Sequence, residues 1–580
     1  MKKVSAVLIF VFAAFTAFSQ ASSSQRLARI FNEVKFIDQQ LNPNLILWNG
    51  FHPDVIYTVE MFEYESIGEK YKSALRKINA IPDANLSHQE RISKSIMELK
   101  IQDQISQIDY RMFLIPFNAE GGFYNAPTYF LPSLPFDFKE DYEDYLRWLP
   151  SFVDYMDHYI TLMKYGLEFN ILPPKIVVEN NIQLLDQWIN QDEDENPFMK
   201  PLYHLPDSLS AFEKQVLIED GKNIIKKQII PAYQRLFIFL QVYYLPQCPT
   251  DISVSSLPKG KEYYEDRVAY YATMDISPDS VFNLGQQEVK RIHSKMDKII
   301  LDLNFQGDYK DFLYFLRTDP QFYADSAAAL LLKAETISRK AESLLPQYFH
   351  TLYDLPFVVE AVPDEIAQTY TSGRYVHGDT KKGIAGKYWV NTYSLSSRTL
   401  YTLTALTLHE AVPGHHLQTT LASEILGLPE FRNLYYISAF GEGWALYCEY
   451  LGEEMGMYES PYDLFGRYTY EMWRACRLVV DVGIHYKGWS REEAVAFLSE
   501  NTALSIHEVN TEIDRYIGWP GQAISYKIGE IAIKNLREKA EKELGKKFEI
   551  KEFHNRILRN GSVPLPILLE EVEFYIKENN

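Results

Sequence analysis

The chain has 580 residues, 46% of them hydrophobic, which is ample material for a large buried core. Its 78 acidic and 58 basic side chains give a formal net charge of -20. A body this negative repels polyanions, and no Lys/Arg cluster offsets it, so nucleic acid is not expected as a partner. Three cysteines (Cys248, Cys448, Cys476) with no Cys-x-x-Cys pair exclude a disulfide framework and a thiolate zinc site; buried free thiols are expected.

Lys2 and Lys3, the apolar run Val4 to Phe18, and Ser19-Gln20-Ala21 follow the order of a secretory signal peptide, read here as residues 1–20. The run is shorter than the roughly 20 residues of a membrane span. No cysteine stands at the cleavage region to take a lipid. A secreted or periplasmic protein is expected, with no stable membrane insertion once the signal is removed.

From Ser24 to Phe117 the apolar spacing of three and four (Leu27, Ile30, Phe31, Val34) predicts helices. Asn118 to Phe138, with Gly121-Gly122 and several prolines, reads as a long ordered loop. Helical periodicity returns from Glu140 to Glu168, turns at Pro173-Pro174, and continues through Lys214 to Leu245. Pro249 to Lys261 is irregular. Ser277-Pro278-Asp279 caps a helix to Leu301, and further helices reach Tyr353. The β-rich runs are Phe357 to Val362 and Lys387 to Asn391, with Gly373, Gly378, Gly383 and Gly386 between them. From Ser397 the chain is helical almost to its end. The predicted fold is mainly α and two-lobed, with a small β-sheet beside a cleft. Residues 21–580 are expected to form one catalytic domain, with a helical half over 21–350 and a metal-site half over 351–580.

The chemistry centres on Leu408-His409-Glu410-Ala411-Val412-Pro413-Gly414-His415-His416. Zinc peptidases use His-Glu-x-x-His because residues four apart share a helix face and the adjacent Glu reaches the ion's water. Here His415 lies six residues past His409, about 9 Å along and about 240° around a regular helix. His416 returns to the same face but about 10.5 Å away. Pro413-Gly414 offers a remedy, since proline breaks the ladder and glycine accepts unusual dihedrals. Looping out two residues would bring His415 to the ion, and looping out three would bring His416. His415 is favoured, and His416 stays open as the alternative ligand.

A two-His site needs a third protein ligand. Glu442, between Gly441 and Gly443, is assigned to it, because flanking glycines permit close approach of another helix. Glu449, two turns on, is expected to support a ligating imidazole. Both would otherwise be ordinary helix acids. With His409, His415 and Glu442 as ligands the expected cofactor is Zn2+, and Glu410 is the expected general base.

His-Glu-x-x-Pro-Gly-His-His, Glu-Gly-Trp-Ala-x-Tyr-x-Glu, and Arg515-Tyr516 through Pro520-Gly521-Gln522-Ala523 and Ser525-Tyr526-Lys527 to Gly529 resemble the bacterial DUF885 family. Leu257-Pro258-x-Gly260 with Tyr263, and Leu284-Gly285 with Glu288-Val289, extend the resemblance over nearly the whole mature chain. The resemblance implies gluzincin-type metallopeptidase relatives of the thimet-oligopeptidase and angiotensin-converting-enzyme kind: mostly helical, two-lobed, with a small sheet beside the zinc. It also implies ligand and supporting-acid roles for Glu442 and Glu449. The relatives have fewer residues between the Glu and the Gly-His pair.

For the developing oxyanion, Tyr516 is the first candidate donor, Tyr526 the second and His507 the third. Arg515 could bind a substrate carboxylate. Gly386 to Tyr393, with Tyr388 and Asn391, is read as an edge strand that pairs with extended substrate. Asp481 and His485, four apart, are either a buried supporting element or a salt bridge. The expected function is hydrolysis of short peptides. The alternatives are a zinc amidohydrolase on a peptidoglycan stem peptide or acylated amino acid, and a non-catalytic peptide-binding relative.

Overall fold

Ser22 opens the first helix through a capping box: its Oγ accepts from the Gln25 N–H at 3.2 Å, and Gln25 Oε1 accepts from the Ser22 N–H at 3.1 Å. The computed structural model describes residues 22–42, 56–125, 131, 134–191, 193–367, 370–380 and 382–580. The expected signal segment and part of the loop expected over 118–138 lie outside the described residues.

Helices α1 (Ser23–Leu41), α2 (Met61–Asn79) and α3 (His88–Asp109) form a first compact unit. Each buries a stripe at helical spacing: Leu27, Ile30, Val34 and Ile37 on α1; Tyr64, Ile67, Tyr71, Ala74 and Ile78 on α2. Of the four residues the periodicity singled out at the chain's start, Leu27, Ile30 and Val34 are buried and Phe31 is half-buried.

Among the described residues, the second unit takes Ile56 and then runs on from Tyr110. A two-residue ladder pairs β1 (Phe117–Asn118) with β2 (Gly121–Gly122), where the stretch expected to be helical gives way to the one expected to be loop. Helix α4 (Pro278–Asp302) starts as predicted, with Ser277 Oγ accepting from the Ser280 N–H at 3.2 Å. It packs against a later helix, α8 (Pro461–Lys487), so closely that a Cβ on Gly285 would stand 2.7 Å from Leu478 Cβ. Helix α8 is buried almost continuously from Phe465 to His485, so it forms the axis of this unit.

The sheet has the order β3 (Phe357–Ala361), β5 (Gly386–Val390), β4 (Gly373–Val376). Strand β5 is parallel to β3 and antiparallel to β4. This corrects one expectation. The run from Gly386 is the central strand, with both edges taken, so it cannot pair with substrate. Tyr388 is fully buried, its hydroxyl 3.3 Å from Thr407 Oγ1. Asn391 Nδ2 lies 2.8, 3.0 and 3.0 Å from the carbonyls of Ala367, Tyr370 and Thr371, and Oδ1 accepts from the Tyr393 N–H. Neither is a substrate contact: Tyr388 fills the core, and Asn391 satisfies the backbone of the segment leading into β4.

Among the described residues, no helix is long and apolar enough to cross a membrane. The three cysteines are free and buried, as expected.

Candidate metal centre

His409 and Glu410 are the last residues of α5 (Leu400–Glu410), a helix buried from Tyr401 onward. The sequence reading expected a bulge in one continuous helix. The structure instead stops the helix at Ala411 and restarts it as α6 (His415–Ser423). The Val412-Pro413 peptide between them is cis. A Cβ on Gly414 would stand 1.9 Å from the His409 carbonyl oxygen and 2.5 Å from that of Leu408. Only glycine lets the second helix begin so close to the end of the first. Trp444 Nε1 donates to the Pro413 carbonyl at 2.9 Å and holds the connection in place. The outcome is that the His409 and His415 rings stand edge to face, centroids 4.9 Å apart.

Glu442 comes from the first turns of α7 (Ser438–Glu454). Its Oε2 is 3.4 Å from both His409 Nε2 and His415 Nε2. Its Oε1 accepts from the Tyr436 hydroxyl at 3.1 Å. The two flanking glycines have separate reasons. A Cβ on Gly441 would collide with the Tyr436 hydroxyl at 2.1 Å. A Cβ on Gly443 would stand 2.5 Å from Gly529 Cα on α10 (Ser525–Leu544), and one on Gly529 would stand 1.9 Å from the Ala439 carbonyl. The three ligand atoms of His409, His415 and Glu442 all lie within 4.8 Å of one another.

Around this triad the partners are ordered. His409 Nδ1 is 2.8 Å from Glu449 Oε1, and Glu449 is itself 3.7 Å from Arg474. Burial disfavours a charged His409, but its hydrogen bonds to Glu442 and Glu449 outweigh that and raise its pKa to about 10. Burial likewise opposes ionisation of Glu442, yet His415 and His409 hold its carboxyl well below the usual range. The site therefore concentrates negative charge on a point flanked by imidazole nitrogens. A His2Glu donor set of this kind suits zinc. Glu410 Oε2 accepts from the Tyr375 N–H on β4 at 2.8 Å, which fixes that carboxylate beside the triad.

His416 does not join them. Its Nδ1 is 2.8 Å from the Tyr375 hydroxyl, and its ring packs against Tyr353 and Phe357. Burial lowers its pKa to about 4.

The other expected site residues divide. Tyr516 is buried on α9 (Ile506–Gly518), and its phenol oxygen accepts from Arg477 Nε at 2.8 Å and Trp473 Nε1 at 2.9 Å. Its hydroxyl also hydrogen-bonds the Glu512 carboxylate, so Tyr516 is withdrawn as an oxyanion donor. His507 is exposed on the same helix, so it is withdrawn too. Tyr526, under the Arg477 guanidinium at 4.2 Å, hydrogen-bonds Arg515 and lies in the electrostatic neighbourhood of Tyr436. Arg515 also donates to Gln522 at 2.9 Å. Asp481 and His485 do not pair. Asp481 accepts from the Tyr264 hydroxyl and the Gly521 N–H, and burial raises it to about 7. His485 Nδ1 accepts from the Val254 N–H, and Nε2 faces the Tyr516 carbonyl.

Sequence reasoning missed Tyr375 and Tyr436. They carry no ligand-like spacing, and the two tyrosines are hidden among 41. The nearest signal was Gly373, the glycine that opens β4.

A second group of acids, Glu288, Glu471 and Glu530, also converges within ligand distance. Lys527 Nζ sits among all three, at 3.1, 2.8 and 2.7 Å. Arg291, Arg467 and Lys534 complete the pairing.

A family model described as "Bacterial protein of unknown function (DUF885)" matches residues 60–572. The chain is similar over its length to the crystal structure of "the putative lipoprotein from Colwellia psychrerythraea": 27% identity, 96% of this chain, 100% of that one, TM-score 0.87. It shares its fold with "a putative lipoprotein of unknown function from Shewanella oneidensis" at 19% identity, 95% of this chain, 99% of that one and TM-score 0.73. No curated protein matches the chain.

Proposed function

The chain belongs to the DUF885 family of bacterial proteins of unknown function, and from that premise we propose that it is an exported, zinc-dependent hydrolase of short peptides. The observation that supports this most is the carboxylate of Glu410, oriented by the Tyr375 N–H, next to three convergent ligands. A purely structural metal site has no use for a base beside its ligand.

His409, His415 and Glu442 would hold the ion, and Glu449 would fix the His409 ring and tautomer. Zinc held there supplies Lewis acidity to a water and to the scissile carbonyl. Glu410 takes the proton from the attacking water and returns it to the leaving amine. Tyr526 is the phenol left to donate to the developing oxyanion, since Tyr516 is engaged elsewhere. Export rests on the signal-like order of residues 1–20. The first cysteine is Cys248, so the reading includes no lipid attachment near the N-terminus.

The test joins metal content to turnover. Zinc-loaded protein should cleave members of a short-peptide panel. Glu410→Gln should bind zinc as the parent does and lose about 10²–10⁴ in rate. Turnover by Glu410→Gln at the parent rate would refute the mechanism.

A further inference from the structure

Strand β4 is the edge of its sheet nearest Glu410, and its alternation sorts its side chains. Tyr375 goes down to His416, while its N–H goes sideways to Glu410. Arg374, one residue earlier, points to the opposite face and is exposed. Its guanidinium stands 5.3 Å from the centre of the Tyr370 ring. Its electrostatic neighbours are Tyr370, Glu410, Glu120 and Tyr526, yet no carboxylate among the described residues forms an ion pair with it. In a chain with 20 more acids than bases, a guanidinium beside the centre without an ion-pair partner is unusual. Arg515 approaches the same neighbours from α9. It bonds Tyr526, and the carboxylates it faces among the described residues, Glu120 and Glu512, are both 3.6 Å away, Glu120 being half-exposed. Its Nε has no hydrogen-bond partner although it is buried.

We infer that Arg374 and Arg515 together receive the free carboxylate of the substrate, so that the protein acts on peptides from their C-terminal end. A carboxylate is the anion that a guanidinium fork binds in two parallel hydrogen bonds. It would satisfy the buried Nε of Arg515, give Arg374 the anion it lacks, and leave the preceding amide on the Glu410 side. An internal peptide segment brings no such charge. The inference rests on the hydrolytic reading for the nature of the ligand.

The test is calorimetry on the zinc-loaded Glu410→Gln protein, which holds peptide without turning it over. The probes are an N-acetylated tripeptide with a free C-terminal carboxylate and the same tripeptide amidated. The free acid should bind about tenfold or more tightly than the amide. Arg374→Ala should erase that preference, and Arg374→Lys should restore part of it. The Arg374 side chain is exposed, so unchanged thermal melting is expected of both variants. Equal binding of acid and amide, binding of neither, or an acid preference that survives Arg374→Ala would overturn the inference. Turnover by the zinc-loaded parent is read separately. An Arg374-dependent acid preference without any cleavage would sink the hydrolytic reading and leave the carboxylate receptor standing.

Discussion

Among the described residues two groups of three potential ligands converge in the second unit, and the chain treats them in opposite ways. Around Glu288, Glu471 and Glu530 the protein supplies its own cations: Lys527 is wholly buried among the acids, and Arg291, Arg467 and Lys534 close the outside. Around His409, His415 and Glu442 no lysine or arginine among the described residues forms an ion pair with the three; Arg474 reaches Glu449, at 3.7 Å. The distances alone would make both groups metal candidates. Charge balance separates them. A carboxylate already bonded to lysine must give up that bond to take a metal, whereas an imidazole need only give up a proton.

The sharpest way to break this contrast is Lys527→Met. It removes one partner from a buried ionic cluster and should cost about 3–5 kcal/mol of folding stability, read from denaturant unfolding, with zinc content unchanged. If zinc content fell instead, the two groups would not be independent. The counterpart is His409→Ala, which should abolish stoichiometric zinc, measured by metal analysis, with a far smaller effect on unfolding of the metal-free protein. Next in size is Glu449→Gln. It touches only the support of the His409 ring and should weaken zinc about 10–100-fold in competition with a chelator.

The smallest effect concerns the histidines outside the centre. His554 is fully buried between the Tyr447 hydroxyl and the Tyr348 carbonyl, and burial lowers it to about 3. A folded pKa below the unfolded 6.5 means its stability contribution is complete above pH 6.5 and is lost as pH falls toward 3. Over the first pH unit below 6.5 that loss is about 1 kcal/mol. His554→Gln should flatten the curve of melting temperature against pH over this range. An unchanged slope would mean that the acid sensitivity lies elsewhere.

Much of the centre was legible because its logic is local. His409 and Glu410 are adjacent, Glu442 sits in its glycine frame, and Glu449 follows at two helical turns. What could not be read was anything that depends on a contact across space. Gly414 is needed because of the His409 carbonyl, and the sequence suggested a bulge where the helix in fact ends and begins again. The alternation that buries Gly386, Tyr388 and Val390 is the same for an edge and a central strand, so β5 was misplaced. The strand that does face Glu410 is only four residues long, too short to announce itself. Tyr516 and Tyr526 look equivalent ten residues apart; only the packing of Trp473 and Arg477 tells which phenol is spoken for. The helical character of both units was readable from periodicity, because burial on one helix face is written at each helix separately.

The crossing of α7 and α10 through Gly443 and Gly529 has a mechanical side. Where side chains separate two helices, rotamer changes can cushion small slips; where bare backbone meets bare backbone, nothing is left to yield. These helices must travel as one stiff lever, carrying Glu442, Glu449 and Tyr526 together.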